Sequence, residues 1–292
     1  MVNLWNKDVE KKFFNESLAF ATPEQLFYVT DDNRYLAYWP KGYPSEKNTL
    51  QSRNSLIGSF TEKWTTDLLQ EVVKDKGLFA VQGAICEELA LTGKSRADVV
   101  ISKNKNIRQK PEDILTIFEV KMSVVWNWEF RNDGSGINLT CIGDYKTHEG
   151  NPGLLRSDSM LKAAGKSINI KVSNFKASKI PIIVMGNTPI TNSYYSKVDH
   201  LKISGIVQGF WSVNPKPLDN NGENIKKTEK LGFYRFEKFD ELRNSIESLL
   251  SEDWNFFSSM RSNKELGQII ELANREKTYE KKGEVFLRLI NE

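Results

Sequence analysis

Ser95-Arg-Ala-Asp98-Val-Val-Ile101 and Leu115-Thr-Ile-Phe-Glu119-Val-Lys121-Met-Ser123 are the two runs on which the fold of this chain turns. Each is short and rich in Val, Ile and Phe, which is how a buried strand reads. Between them, SKNKNIRQKPED (residues 102–113) is a loop by composition, so neighbouring strands joined by a long turn are expected. Side chains alternate along a strand, so Glu119 and Lys121 share one face while Phe118, Val120 and Met122 share the other. Acids and a lysine within such runs cost free energy unless they pair or bind a cation.

Two carboxylates on adjacent strands, Asp98 and Glu119, can hold Mg²⁺, which takes hard oxygen ligands and keeps several waters. Such an ion polarises a phosphodiester and supplies an acidified water. Lys121, two residues past the second acid, reaches the same spot, where it can orient the water or neutralise charge on phosphorus. Hydrolysis of a nucleic-acid backbone is the chemistry these residue types suit. The competing reading is a half-exposed sheet whose acids and lysine form a cross-strand ion pair.

The remaining composition narrows the field. At 292 residues the chain has room for one large domain or two modest ones. The net charge of +3 permits a polyanionic partner without demanding one. Cys86 and Cys141 are the only cysteines and His148 and His200 the only histidines. They are too few for a zinc knuckle or a disulfide framework, so thiol proteases and zinc hydrolases are poor candidates. No apolar run is long enough to span a membrane, and MVNLWNKDVEKKFF lacks the apolar core of a signal peptide; a cytoplasmic protein is expected.

Working outward, Val9–Leu18 reads as an amphipathic helix. Tyr28, Tyr35, Tyr38 and Trp39 follow in a turn-rich stretch, either packed on the core or available for stacking on bases. Residues 59–76 carry Phe60, Trp64, Leu68 and Val72 on one stripe and predict a helix ending at Gly77. Ser59 with Glu62 makes a capping-box pattern at its start. The same Glu62 lies close to the acidic strands and is a candidate third carboxylate, alongside Glu87 and Glu88. Residues 77–84 predict a first strand. VVWNWEF (124–130) is expected to continue the Glu119 strand into a turn at 132–136.

Residues 153–170 predict a second helix, with Leu161, Ala164 and Ile168 toward the sheet and Lys162 and Lys166 projecting together, either to track phosphates or as a plain solvated face. IPIIVMG (180–186) is the clearest buried strand. A polar loop at 187–197, a strand at 204–213, a surface loop at 214–230 and helices at 239–254 and 264–290 complete the chain.

Asp98, a gap of twenty residues, then Glu119-Val-Lys121 resembles the PD-(D/E)XK motif of the restriction-endonuclease-like nuclease superfamily. Ala97 stands where the motif's proline would be. Glu10-Lys-Lys12, Asp144-Tyr-Lys146 and Glu280-Lys-Lys282 also satisfy acid-any-lysine, and Asp144-Tyr-Lys146 is the real competitor. The resemblance covers residues 56–213 and implies an α/β fold with a mixed central sheet flanked by helices. To that core are added an N-terminal helical and aromatic segment (1–55) and a C-terminal loop with helices for packing or dimerisation (214–292).

By that resemblance Asp98 and Glu119 ligate Mg²⁺, Lys121 assists the attacking water and Glu62 is an auxiliary acid. The chain looks most like a stand-alone type II restriction endonuclease acting on double-stranded DNA, paired with a cognate DNA methyltransferase. Cutting both strands needs two sites, so a homodimer is expected. Lys146, Arg156, Lys162 and Lys166 are the candidate DNA contacts, with base reading expected near residues 144–166 and 187–197. A repair, recombination or phage-defence nuclease and a non-catalytic DNA-binding protein are the alternatives.

Overall fold

In the computed structural model, which describes residues 3–44, 48–132, 137–219, 224–257 and 261–291, the two apolar runs pair as expected. The chain opens with helices α1 (Lys7–Ser17) and α2 (Pro23–Leu26), then the two-residue strands β1 (Tyr28–Val29) and β2 (Tyr35–Leu36). The long helix α3 (Gln51–Val73) leads into β3 (Phe79–Gln82), β4 (Val99–Ser102) and β5 (Ile114–Lys121). Strands β6 (Asn127–Asn132) and β7 (Ile137–Gly143) precede α4 (Ser157–Ser173), β8 (Ile182–Gly186), α5 (Tyr195–Ile203), β9 (Gly209–Ser212) and β10 (Phe233–Arg235). Helices α6 (Phe239–Ser251), α7 (Asn263–Ala273) and α8 (Tyr279–Asn291) close the chain.

Six strands form one mixed sheet in the order β10-β9-β8-β5-β4-β3, giving an α/β fold with helices on both faces. β3, β4 and β5 run antiparallel, whereas β5, β8, β9 and β10 run parallel. β8 is buried along its whole length, as a strand covered on both faces must be. On one face, Phe118, Val120 and Ile183 pack against Leu68, Leu69 and Val72 of α3 and Leu242, Ile246 and Leu249 of α6. On the other, Val100, Ile117 and Ile182 meet Ile170 of α4, while Val184, Phe210 and Phe233 meet Val198 of α5. The register Val99↔Phe118 sets Asp98 opposite Glu119, and the irregularity in this pairing falls at Ile101/Ser102, the far end. Among the described residues no helix is long and apolar enough to cross a membrane.

Several expectations need correction. α3 begins at Gln51, so Ser59 and Glu62 lie inside the helix and form no capping box. The 55/56 boundary likewise falls within α3. VVWNWEF does not extend β5; residues 127–132 enter a second, antiparallel sheet ordered β1-β2-β6-β7, so the aromatic run packs a separate layer. Tyr38 stacks on His148 at 3.9 Å and Trp39 on Tyr43 at 4.9 Å, the packing role for these rings.

α4 is turned by about one position from the expected register: Met160, Ala163, Ser167 and Ile170 face inward, and Leu161 and Ile168 are exposed. The loop at 187–197 begins with fully buried Asn187 and Thr188 and runs into α5. The segment 264–290 is two helices broken at residues 274–278. Residues 133–136 of the expected turn and 220–223 of the expected surface loop lie outside the described residues.

Candidate active site

The acids meet where β4 begins and β5 ends. Asp98 precedes β4, and its Oδ2 accepts the backbone N–H of Val120 at 2.7 Å, which fixes the carboxylate against the neighbouring strand. Glu119 lies within β5, its side chain 6% exposed. Lys121 follows on the same face and places its Nζ 2.5 Å from Glu119 Oε1 and 3.7 Å from Asp98 Oδ2.

A second lysine arrives from α4, across that face of the sheet. Lys166 Nζ lies 2.5 Å from Glu119 Oε2 and 3.1 Å from Asp98 Oδ1. The contact with Oε2 is an ion pair without hydrogen-bond geometry, so this buried oxygen lacks a hydrogen-bond donor among the described residues. Two carboxylates and two ammonium groups thus interlock and balance in charge. Removing one partner from such a cluster leaves an uncompensated charge in a poorly solvated place.

Glu62 comes from α3 at the end of the strands. Gln82 Nε2 of β3 donates to its Oε2 at 3.3 Å. Burial first, and then the charge on Asp98, raise the Glu62 carboxyl above its ordinary range. The Glu119 carboxyl is likewise raised, by burial and then by Asp98, with the two lysines opposing. Burial would lower the Lys166 ammonium, but Glu119 and Asp98 outweigh it and carry its pKa up. An ionised Glu62 gives the five groups one excess negative charge, so the place favours a further cation. A cleft of about 770 Å³ opens onto Glu62, Asp98 and Lys166, with Lys94, Arg96 and Ile107 at its border.

Asp98 and Glu119 are hard oxygen donors on facing strands and fit Mg²⁺, which commonly takes one or two carboxylates and keeps waters. They do not make an all-protein cage: among the described residues no three Asp, Glu, His or Cys side chains converge closely enough to hold an ion.

The other candidates sit elsewhere. Lys162 and Lys166 do not project together: Lys162 is 72% exposed and pairs with Asp158 at 3.0 Å, whereas Lys166 is 19% exposed and turned onto the acids. Arg156 also lies beside Asp158, at 3.9 Å. Asp144, the competing acid, is buried in a turn, where it accepts the backbone N–H groups of Lys146 at 2.8 Å and Asp219 at 3.0 Å; Lys146 itself is exposed. Glu87 and Glu88 lie in a 3-10 turn, with Glu88 paired to Lys176 at 2.9 Å.

Sequence reasoning missed Gln82 and the inward turn of Lys166. The available signal for the latter was the alternative stripe Met160, Ala163, Ser167, Ile170, whose small residues allow α4 to approach the sheet. No family model, curated protein or solved structure matches this chain.

Proposed function

We propose that this chain is a Mg²⁺-dependent endonuclease hydrolysing phosphodiester bonds of double-stranded DNA, in the manner of a type II restriction enzyme. The observation that carries the reading is the convergence of Asp98, Glu119 and Lys121 at the ends of two facing strands, beside a cleft. Apart from β6 and β7 of the second sheet, which intervene between β5 and α4, the order helix, three antiparallel strands, helix, parallel strand (α3-β3-β4-β5-α4-β8) supports a restriction-endonuclease-like core.

In this reading Asp98 and Glu119 hold the metal, which when bound supplies a Lewis acid and an acidified water. Lys121 orients the attacking water and offsets charge gathering on the phosphoryl oxygens. Glu62 is positioned to take a proton or to hold a second water, its carboxyl raised by burial and by Asp98 toward the protonated form. Cutting a duplex on both strands calls for two copies of the site, hence a homodimer, and a restriction role calls for a methyltransferase partner that protects host DNA.

The deciding experiment incubates the protein with unmethylated phage DNA, with Mg²⁺ and with EDTA, beside Asp98→Ala and Lys121→Ala. Discrete fragments that require Mg²⁺ and disappear in both variants are the expected result. A Mg²⁺-dependent smear would replace site recognition by recognition of DNA structure. Absence of cleavage, with DNA binding unaltered by either substitution, would leave a binding protein.

A further inference from the structure

Positive charge is unevenly spread along this chain. Residues 93–110 carry six cations (Lys94, Arg96, Lys103, Lys105, Arg108 and Lys110) and one acid, Asp98, a net +5. The rest of the chain then holds 35 cations and 37 acids, a net −2 against the overall +3. All six cations are exposed, and none makes an ion pair among the described residues. Elsewhere Lys63, Lys74, Lys162 and Lys176 are each matched by an acid within 3.0 Å. A solvated face usually mixes its signs; this one does not.

The backbone brings part of this set to the site: Lys94 and Arg96 line the cleft at Asp98, whereas Lys103 stays at the far end of β4 beside Pro111 and Glu112. The segment 83–85, which turns at Gly83, is bonded on one side to the start of β4, Gly83 N–H donating to Asp98 O and Ala97 N–H to Ala84 O, both at 3.0 Å. On its other side it holds the returning loop, Ile85 N–H donating to Ile107 O and Gln109 N–H to Ile85 O, both at 2.8 Å. The stretch 103–110 therefore leaves the far end of β4 and folds back past the edge strand to the end where Asp98 lies. Lys94, Arg96 and Ile107 border the cleft that opens on Asp98 and Lys166, with Arg108 adjoining Ile107 in sequence.

We infer that residues 93–96 and 105–108 form a two-armed cationic clamp for the DNA backbone on either side of the phosphate presented to Asp98 and Glu119. This rests on the nuclease reading and gives it a binding surface other than α4. Exposed, unpaired cations release counterions from DNA without first breaking a protein ion pair, which Arg156 and Lys162 would have to do. Each phosphate contact contributes about 0.9 to the slope of log affinity against log salt.

The test measures anisotropy of a fluorescein-labelled DNA duplex in EDTA, across a salt series, beside Mg²⁺-dependent cleavage by the wild type. Variants are Lys94→Ala/Arg96→Ala, Lys105→Ala/Arg108→Ala and, for comparison, the ion-paired Lys63→Ala/Lys74→Ala. Each arm variant is expected to weaken binding about tenfold and to flatten the salt slope by about two. The comparison variant should stay within about twofold of wild type. Cleaving wild-type protein with arm variants that keep its affinity and slope would overturn the clamp and leave the nuclease standing. A wild type that neither binds nor cuts DNA would overturn both.

Discussion

Glu10 and Glu119 are both buried carboxylates in this chain, yet their surroundings are opposite in kind. Glu10 is fully buried and accepts four N–H donors: the indoles of Trp5 and Trp128 at 3.0 Å each and the backbone of Val125 and Trp126 at 2.6 and 3.2 Å. All four donors are neutral and fixed to the fold. Burial lifts Glu10 to about 7, and the donors pull against that rise. Glu119 is met instead by two ammonium groups on long side chains and faces a second acid. Fixed dipoles hold a carboxylate in one place, whereas flexible ammonium counterions can give way to another cation. The first arrangement ties α1 to the aromatic layer, and the second leaves a charge available for chemistry.

The sharpest separation comes from neutralising each acid. Glu119→Gln is expected to lower Mg²⁺-dependent cleavage roughly a thousandfold while urea-melt stability moves by no more than about 1 kcal/mol, because Asp98 and an ionised Glu62 then balance the two lysines. Similar destabilisation in this variant and a Glu10 variant would erase the contrast. Glu10→Ala leaves four buried donors unmatched and should cost about 3 kcal/mol in the same melt. Cleavage per folded molecule should remain at the wild-type level.

A smaller effect is expected at Lys166. Its charge opposes the rise in the Glu119 pKa, so Lys166→Met should move the acid limb of the pH–cleavage profile upward. Lys162→Met should leave the profile in place, and equal shifts in both would discount the inward ion pair. The smallest effect belongs to Glu62. Its folded pKa is raised, so its contribution to stability is complete below the ordinary carboxylate range and is lost as pH rises through the raised value. Glu62→Gln should therefore be more stable than wild type at neutral pH, by less than about 1 kcal/mol, with the difference vanishing near pH 4. A difference that persisted in acid would point to packing.

The sequence was most legible where one physical rule acted alone. β5 and β8 were plain from apolar runs, and the shared face of Glu119 and Lys121 from the period of two. It was least legible where two rules competed. Ser59 and Glu62 have the spacing of a cap but sit mid-helix, because the helix extends back to Gln51 and buries Arg53 and Ile57. On α4 the apolar residues Leu161 and Ile168 misled, since the side facing the sheet combines Met160 and Ile170 with the small Ala163 and Ser167, a stripe one position away. β10, three residues long, gained its place from pairing with β9, which no local pattern encodes. Lys166 became legible only in three dimensions: its partners are contributed by strands beginning and ending far away in the chain.

The register of β4 against β5 also limits how such a chain can change over evolutionary time. Asp98 and Glu119 share a face only while Val99 stays opposite Phe118; a slip by one residue sends the two acids to opposite sides of the sheet. The single irregularity in that pairing sits at Ile101/Ser102, where the long connection begins. Insertions and deletions in the connection can be absorbed at that point, before they reach the acids, so lineages are free to vary the length of the turn while the pair of carboxylates stays in step.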